Sequence, residues 1–205
     1  MKFILAKKVE MSQIFDDKGK VQPITWLEAG PIFVTQNKTK EKDGYIAVQV
    51  GFGARKEKNV KRPQKKLGNF AHFKEFRLPN FQSPTSNSQF PNVGNKIDSS
   101  VFQEGDNVHI SGISKGKGFQ GVVKRHRFKG GSRTHGQKHS EREPGSIGAT
   151  WPQRVIKGKR MPGHMGTDRV TVRNLKVLKI IPERNLMAIS GAIPGSRGSL
   201  VEIRG

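Results

Sequence analysis

Apolar residues in this chain come in short runs rich in Val and Ile, each bounded by Gly, Pro, Asn or Asp, which is the pattern of half-buried strands. Such runs span Phe3–Val9, Val21–Glu28, Ile32–Gln36 and Tyr45–Phe52, then Asn107–Ile113 and Gly118–Lys124, and finally Arg169–Ile181, Leu186–Ser190 and Ser199–Ile203. Pro182-Glu183-Arg184-Asn185 predicts a tight turn between two of them. Short strands at regular spacing, with both ends of the chain contributing, predict a mainly β protein built as a closed barrel or a sandwich.

Two stretches break the pattern. Between about Arg55 and Lys96 the front part, Asn59 to Phe76, predicts a short helix in which Leu67, Phe70 and Phe73 pack at spacings of three. Its rear part, Leu78 to Asn95, is crowded with Pro, Ser, Asn and Gln and reads as loop. From His126 to Met165 periodicity vanishes, and only Ile147, Val155 and Ile156 are aliphatic besides two methionines. Such a stretch buries too little apolar surface to offset the entropy of ordering it. A loop of that length inside a compact domain is functional or disordered. The expected organisation is therefore β-domain segments at 1–54, 97–125 and 166–205, an insertion at 55–96, and an extension at 126–165 that leaves the domain and returns.

Charge changes the picture most. The 38 Lys and Arg against 16 Asp and Glu leave a net +22, well beyond the roughly 2 to 8 that solubility needs. Like-sign charge on that scale opposes compaction, and a polyanion relieves it by releasing its condensed counterions. Cysteine is absent, which excludes disulfides, Cys-ligated zinc and thiol catalysis. The apolar run at the start, Phe3 to Ala6, is too short for a signal peptide. No stretch approaches the roughly 20 apolar residues of a membrane span. The expectation is a cytoplasmic protein residing where its polyanion does.

Three motifs invite a catalytic or cofactor reading. Gly116-Lys117-Gly118-Phe119-Gln120-Gly121 matches G-x-G-x-x-G, with Glu141 about 20 residues on. A dinucleotide site also needs a helix opening at the third glycine, and the β-branched, cationic Val122 to Phe128 predicts none. His135 and His139 stand four apart as zinc ligands on a helix do, but Gly136 lies between them and Arg133, Lys138 and Arg142 repel a cation. Ser140 and Glu143 add paper members of a triad without a nucleophile elbow. The expectation is no enzyme, no cofactor, no metal and no small-molecule substrate.

What remains is a basic ribbon suited to nucleic acid. Its candidate contacts are Lys115, Lys117, Lys124, Arg125, His126, Arg127, Lys129, Arg133, His135, Lys138, His139, Arg142, Arg154, Lys157, Lys159, Arg160 and His164, diluted by Glu141 and Glu143 alone. The interspersed glycines allow backbone to approach phosphates closely, and histidines can stack on bases or donate to phosphate. Trp151 is either a base-stacking residue or the centre of a small cluster with Ile147 and Pro152. RNA is favoured over DNA because no helix-turn-helix, basic-zipper or finger pattern occurs. The rivals are a metal- or nucleotide-dependent enzyme acting on RNA, and a basic chaperone or nucleoid-type binder.

Gly112 to Gly121, Gly145-Ser146-Ile147-Gly148 and Lys157-Gly158-Lys159-Arg160-Met161-Pro162-Gly163-His164-Met165-Gly166 resemble the universal large-subunit ribosomal protein three ("L-three") family in its bacterial form. The opening Lys7 to Phe15 is similar to that family's start, and Arg184-Asn185-Leu186 followed by Gly191-Ala192-Ile193-Pro194-Gly195 to its end. The resemblance implies a six-stranded barrel of the kind shared with translation factors and an extension running through large-subunit ribosomal RNA toward the peptidyl-transferase region. It further implies a role in early subunit assembly, L-fourteen and L-nineteen as neighbours, no homo-oligomer, and an extension tip at Gly148 to Gln153. Some bacterial relatives carry a methylated glutamine just after the Gly-Ser-Ile-Gly motif. Here Ala149 follows it and Gln153 is out of register, so that modification is not carried over.

Overall fold

The computed structural model describes residues 2–16, 18–78 and 91–205. Most of the loop expected over 78–95 lies outside these residues. The chain forms two compact units, 1–113 with 170–205, and 114–169.

The first unit contains a closed six-stranded barrel. Its strands are β1 (Phe3–Phe15), β2 (Val21–Ala29), β7 (Asn107–Ile113), β10 (Arg169–Ile181), β11 (Leu186–Ser190) and β12 (Leu200–Arg204), in the order β1-β12-β7-β10-β11-β2. The apolar run predicts β1 only to Val9, yet the strand runs on to Phe15. Beyond a bulge between Lys8 and Glu10 its outer half pairs with β2 alone, from Glu10↔Trp26 to Phe15↔Val21.

A four-stranded sheet lies against this barrel. It joins β3 (Ile32–Lys38), β4 (Ala47–Ala54), β5 (Phe70–Arg77) and β6 (Lys96–Ile97) in the order β5-β4-β3-β6. The runs at 32–36 and 45–52, expected to belong to the barrel, are thus strands of this second sheet. The chain leaves β2 at Gly30, whose φ of 79° permits the change of direction, and a Cβ there would sit 3.0 Å from Ile4 Cδ1. The helix expected over 59–76 is replaced by 3-10 turns at Glu57–Asn59 and Arg62–Leu67 followed by β5. The aromatic spacing of three belongs to a strand in which Phe76, not Phe70 or Phe73, enters the core.

The two sheets share one hydrophobic core. Phe3, Ile4, Leu5 and Ala6 are four consecutive buried residues, so both faces of β1 are covered there, as in any strand sandwiched on two sides. Phe3 stacks on Phe76 of β5 with ring centroids 4.5 Å apart. A buried cation ties the last loop to this frame: Lys8 Nζ donates to the carbonyls of Ile193 (2.8 Å) and Gly195 (3.1 Å). The Gly191–Gly195 motif therefore serves to present carbonyls to Lys8, while Thr25 Oγ1 donates to Gly191 O at 2.7 Å.

Candidate nucleic-acid interface

The second unit, 114–169, begins as a two-legged neck. Ser114 N donates to Asp168 O (2.9 Å), Lys117 N to Met165 O (2.9 Å) and Met165 N to Gly118 O (3.0 Å). The ladder continues through β8 (Phe119–Gln120) and β9 (Gly163–His164), with Phe119 opposite His164. The legs run backbone against backbone at Gly166, where φ is 83° and a Cβ would collide with the carbonyl of Lys115. Of the glycines that mimic G-x-G-x-x-G, Gly116 takes part in this approach, its Cα 3.0 Å from where that Cβ would stand.

Above the neck, the helix α1 (Val122–His126) replaces the end of the strand expected over Gly118–Lys124, of which β8 is the part that forms. A helix does open at the third glycine: Gly121 is its N-cap and Arg127, at φ 60°, its left-handed C-cap. The sequence argument against one was wrong, because local β-propensity yields to tertiary context in so short a segment. The nucleotide reading still fails, since the helix has one turn and the strand before it belongs to a two-stranded antiparallel neck. Two predicted contacts turn out to hold the legs together: Arg125 Nη1 donates to Met161 O at 2.8 Å and His126 Nε2 lies 3.1 Å from the same oxygen. Phe128 packs beside His126 and beneath the Arg160 guanidinium, 5.4 Å from its ring centre.

Beyond Phe128 the chain is nearly coreless. Among the described residues of 114–169 only Val122 is buried. Gly131 N donates to Glu141 O (2.8 Å) and closes a small loop, within which Arg133 Nε meets Glu141 Oε1 at 2.6 Å. His135 sits in a turn at φ 59°, so it and His139 share no helix face. Among the described residues no group of three His, Asp or Glu could hold a metal ion. Lys115, Lys117, Lys124, Arg127, Lys129, Lys138, Arg142, Arg154, Lys157, Lys159 and His164 are all exposed. So is Trp151, at 83%, and the cluster envisaged with Ile147 and Pro152 does not bury it.

Two signals escaped the sequence reading. Large apolar side chains of this unit face outward with the cations, among them Phe119 (75% exposed) and Ile156 (60%). In the first unit, Arg55, Lys56, Lys58, Lys61, Arg62, Lys65 and Lys66 crowd one connector with Glu57 as its only acid. The run was visible in the sequence but was read as part of a helical insertion.

The chain thus combines a closed β-barrel with a strongly basic, largely exposed unit. A family profile described as Ribosomal protein L3 matches residues 85–189. The chain is 47% identical to the "Large ribosomal subunit protein uL3" of Chloroherpeton thalassium over 99% of its own length and 98% of the relative's. It is also 47% identical to the proteins of that name from Pelotomaculum thermopropionicum, covering 99% and 96%, and Finegoldia magna, covering 100% and 97%. The chain belongs to the ribosomal protein L3 family. Its relatives are structural ribosomal proteins, not enzymes.

Proposed function

We propose that this chain, a structural constituent of the large ribosomal subunit, binds ribosomal RNA chiefly through the unit 114–169. One observation carries this reading: that unit holds fourteen Lys and Arg against three Asp and Glu, with a single buried side chain. A surface so charged and so poor in core is stable only when covered, and phosphate backbones supply both the counter-charge and the walls. The neck fixes where the two legs start, the cations neutralise facing phosphates, and exposed Trp151 in the 148–153 tip stacks on a base. The family resemblance extends the proposal to early subunit assembly, a tip directed toward the peptidyl-transferase region, and proteins L14 and L19 as neighbours.

The experiment is an excision. Arg125 and His126 on one leg touch Met161 on the other, so the chain can be cut above them without parting the neck. Replacing Gly130–Lys159 by a short Gly-Ser linker leaves the circular-dichroism spectrum of the barrel and its thermal unfolding intact. The tagged variant then fails to sediment with large subunits. Incorporation at the level of the full chain would refute the proposal.

A further inference from the structure

We infer that the four-stranded sheet carries a second RNA site, separate from the extension, which takes one unpaired nucleotide: its base in an aromatic groove and its flanking phosphates on the connector 55–68. The groove has a volume of about 680 Å³, within the range of roughly 300 to 1,000 Å³ of formed small-ligand sites. Phe33 and Phe70 form its floor, stacked with centroids 5.5 Å apart. This floor is built by glycine: a Cβ at Gly51 or at Gly68 would run into the Phe70 ring. Lys7 and Glu28, opposite one another across β1 and β2, stand on the groove's other wall. They offer a donor and an acceptor to the edge of a base.

Charge names the occupant. Arg55 N donates to Asn69 O at 2.9 Å, so the connector is a closed loop whose two ends meet at the groove, where Ala54, Asn69 and Phe70 all line it. Val60, 6% exposed, pins the loop from inside. Its seven cations point outward, and among the described residues none of them is in an ion pair. An apolar peptide would suit the aromatic floor and leave that charge unanswered. A cationic rim beside a stacking platform is instead the general design of single-stranded nucleic-acid sites.

The test uses the full-length chain with a 4-thiouridine-substituted single-stranded RNA dodecamer, photo-crosslinked and mapped by mass spectrometry. Crosslinks are expected both in the extension and in peptides spanning 55–77. The surface variant Lys61→Glu/Arg62→Glu/Lys65→Glu/Lys66→Glu lowers the 55–77 crosslinks about tenfold or more and leaves those of the extension unchanged. Phe70→Leu, checked for folding by circular dichroism, lowers them about tenfold through lost stacking. Crosslinks confined to the extension, or 55–77 crosslinks indifferent to charge reversal, would overturn the second site and leave the extension's role standing. Absence of crosslinks in the extension alone would do the reverse.

Discussion

The proposed RNA-binding role is tested by salt dependence, which counts the phosphates that the cations of the extension neutralise. Of the fourteen Lys and Arg in 114–169, Arg125 holds a carbonyl, Arg133 pairs with Glu141, Arg160 covers Phe128 and Arg169 is engaged in an interaction of its own. The other ten are free of ion pairs among the described residues. Each neutralised phosphate contributes about −0.7 to −0.9 to the slope of log affinity against log salt, so ten contacts give about −7 to −9. Raising salt from about 50 to about 200 mM then weakens binding roughly 10⁴- to 10⁵-fold.

The assay is fluorescence anisotropy of a labelled, folded fragment of large-subunit RNA, titrated across that salt range. The perturbation is the triple variant Lys129→Gln/Lys157→Gln/Lys159→Gln, whose side chains make no hydrogen bond or ion pair among the described residues, so the fold is left alone. Its slope becomes shallower by about 2 to 3. A wild-type slope near −2, or an unchanged slope in the triple variant, would refute the phosphate-threading account. A slope steeper than about −9 would require cations outside the extension, and the 55–68 connector has seven.

Three further outcomes test the frame that carries these surfaces. Gly166→Ala forces a Cβ against the Lys115 carbonyl at φ 83°; it should cost about 1 to 3 kcal/mol at the neck and speed amide exchange of Lys117 and Met165, whose unchanged protection would show the close approach to be unimportant. Phe76→Ala removes a fully buried ring stacked on Phe3 and should cost about 3 to 5 kcal/mol in chemical denaturation; a loss below about 1 kcal/mol would mean the sheets do not share a core. Burial alone would raise the Glu75 carboxyl, but the Tyr45 hydroxyl (2.7 Å) and the Lys38 ammonium (3.0 Å) outweigh it and hold it below its ordinary 4.5. A depressed carboxylate stabilises the fold above its unfolded value, and that contribution is lost as pH falls through the folded one. Tyr45→Phe should therefore raise the Glu75 titration midpoint seen by NMR, and an unmoved midpoint would remove the hydroxyl from the explanation.

The barrel was legible because its signal is local: Ile24, Leu27, Val108, Ile110, Val201 and Ile203 are buried within the very Val- and Ile-rich runs that the sequence bounds with turn residues. The second sheet was less so. Strands β3 and β4 were visible as strands, but which sheet takes them depends on the turn at Gly30 and on β5, far along the chain. In β5 the spacing of Phe70 and Phe73 imitates a helix turn, and only the pairing of Phe70 with Ala54 and of Phe76 with Val48 decides otherwise. The extension expected over 126–165 falls inside the compact unit 114–169, whose neck ladder reaches down to Ser114 and Asp168. Charge marked the cations without sorting them: nothing in the sequence separates Arg125, which braces the neck, from Lys124 beside it, which faces outward.

That sorting has a consequence for how the extension meets its partner. Ordering a residue's backbone costs about 1 to 2 kcal/mol, and among the described residues of 129–169 there is no buried side chain to offset it. The internal bonds are unevenly spread. They concentrate in the neck and at the Met161 carbonyl, recur once at Gly131 and Glu141, and thin out to short-range turns such as Lys159 N to Ile156 O over 144–159. Within the unit, long-range internal bonds therefore become fewer with distance from Ser114 and Asp168. The ordering cost then falls mainly on the distal part, where Arg154, Lys157 and Lys159 bring the charge that phosphates would offset.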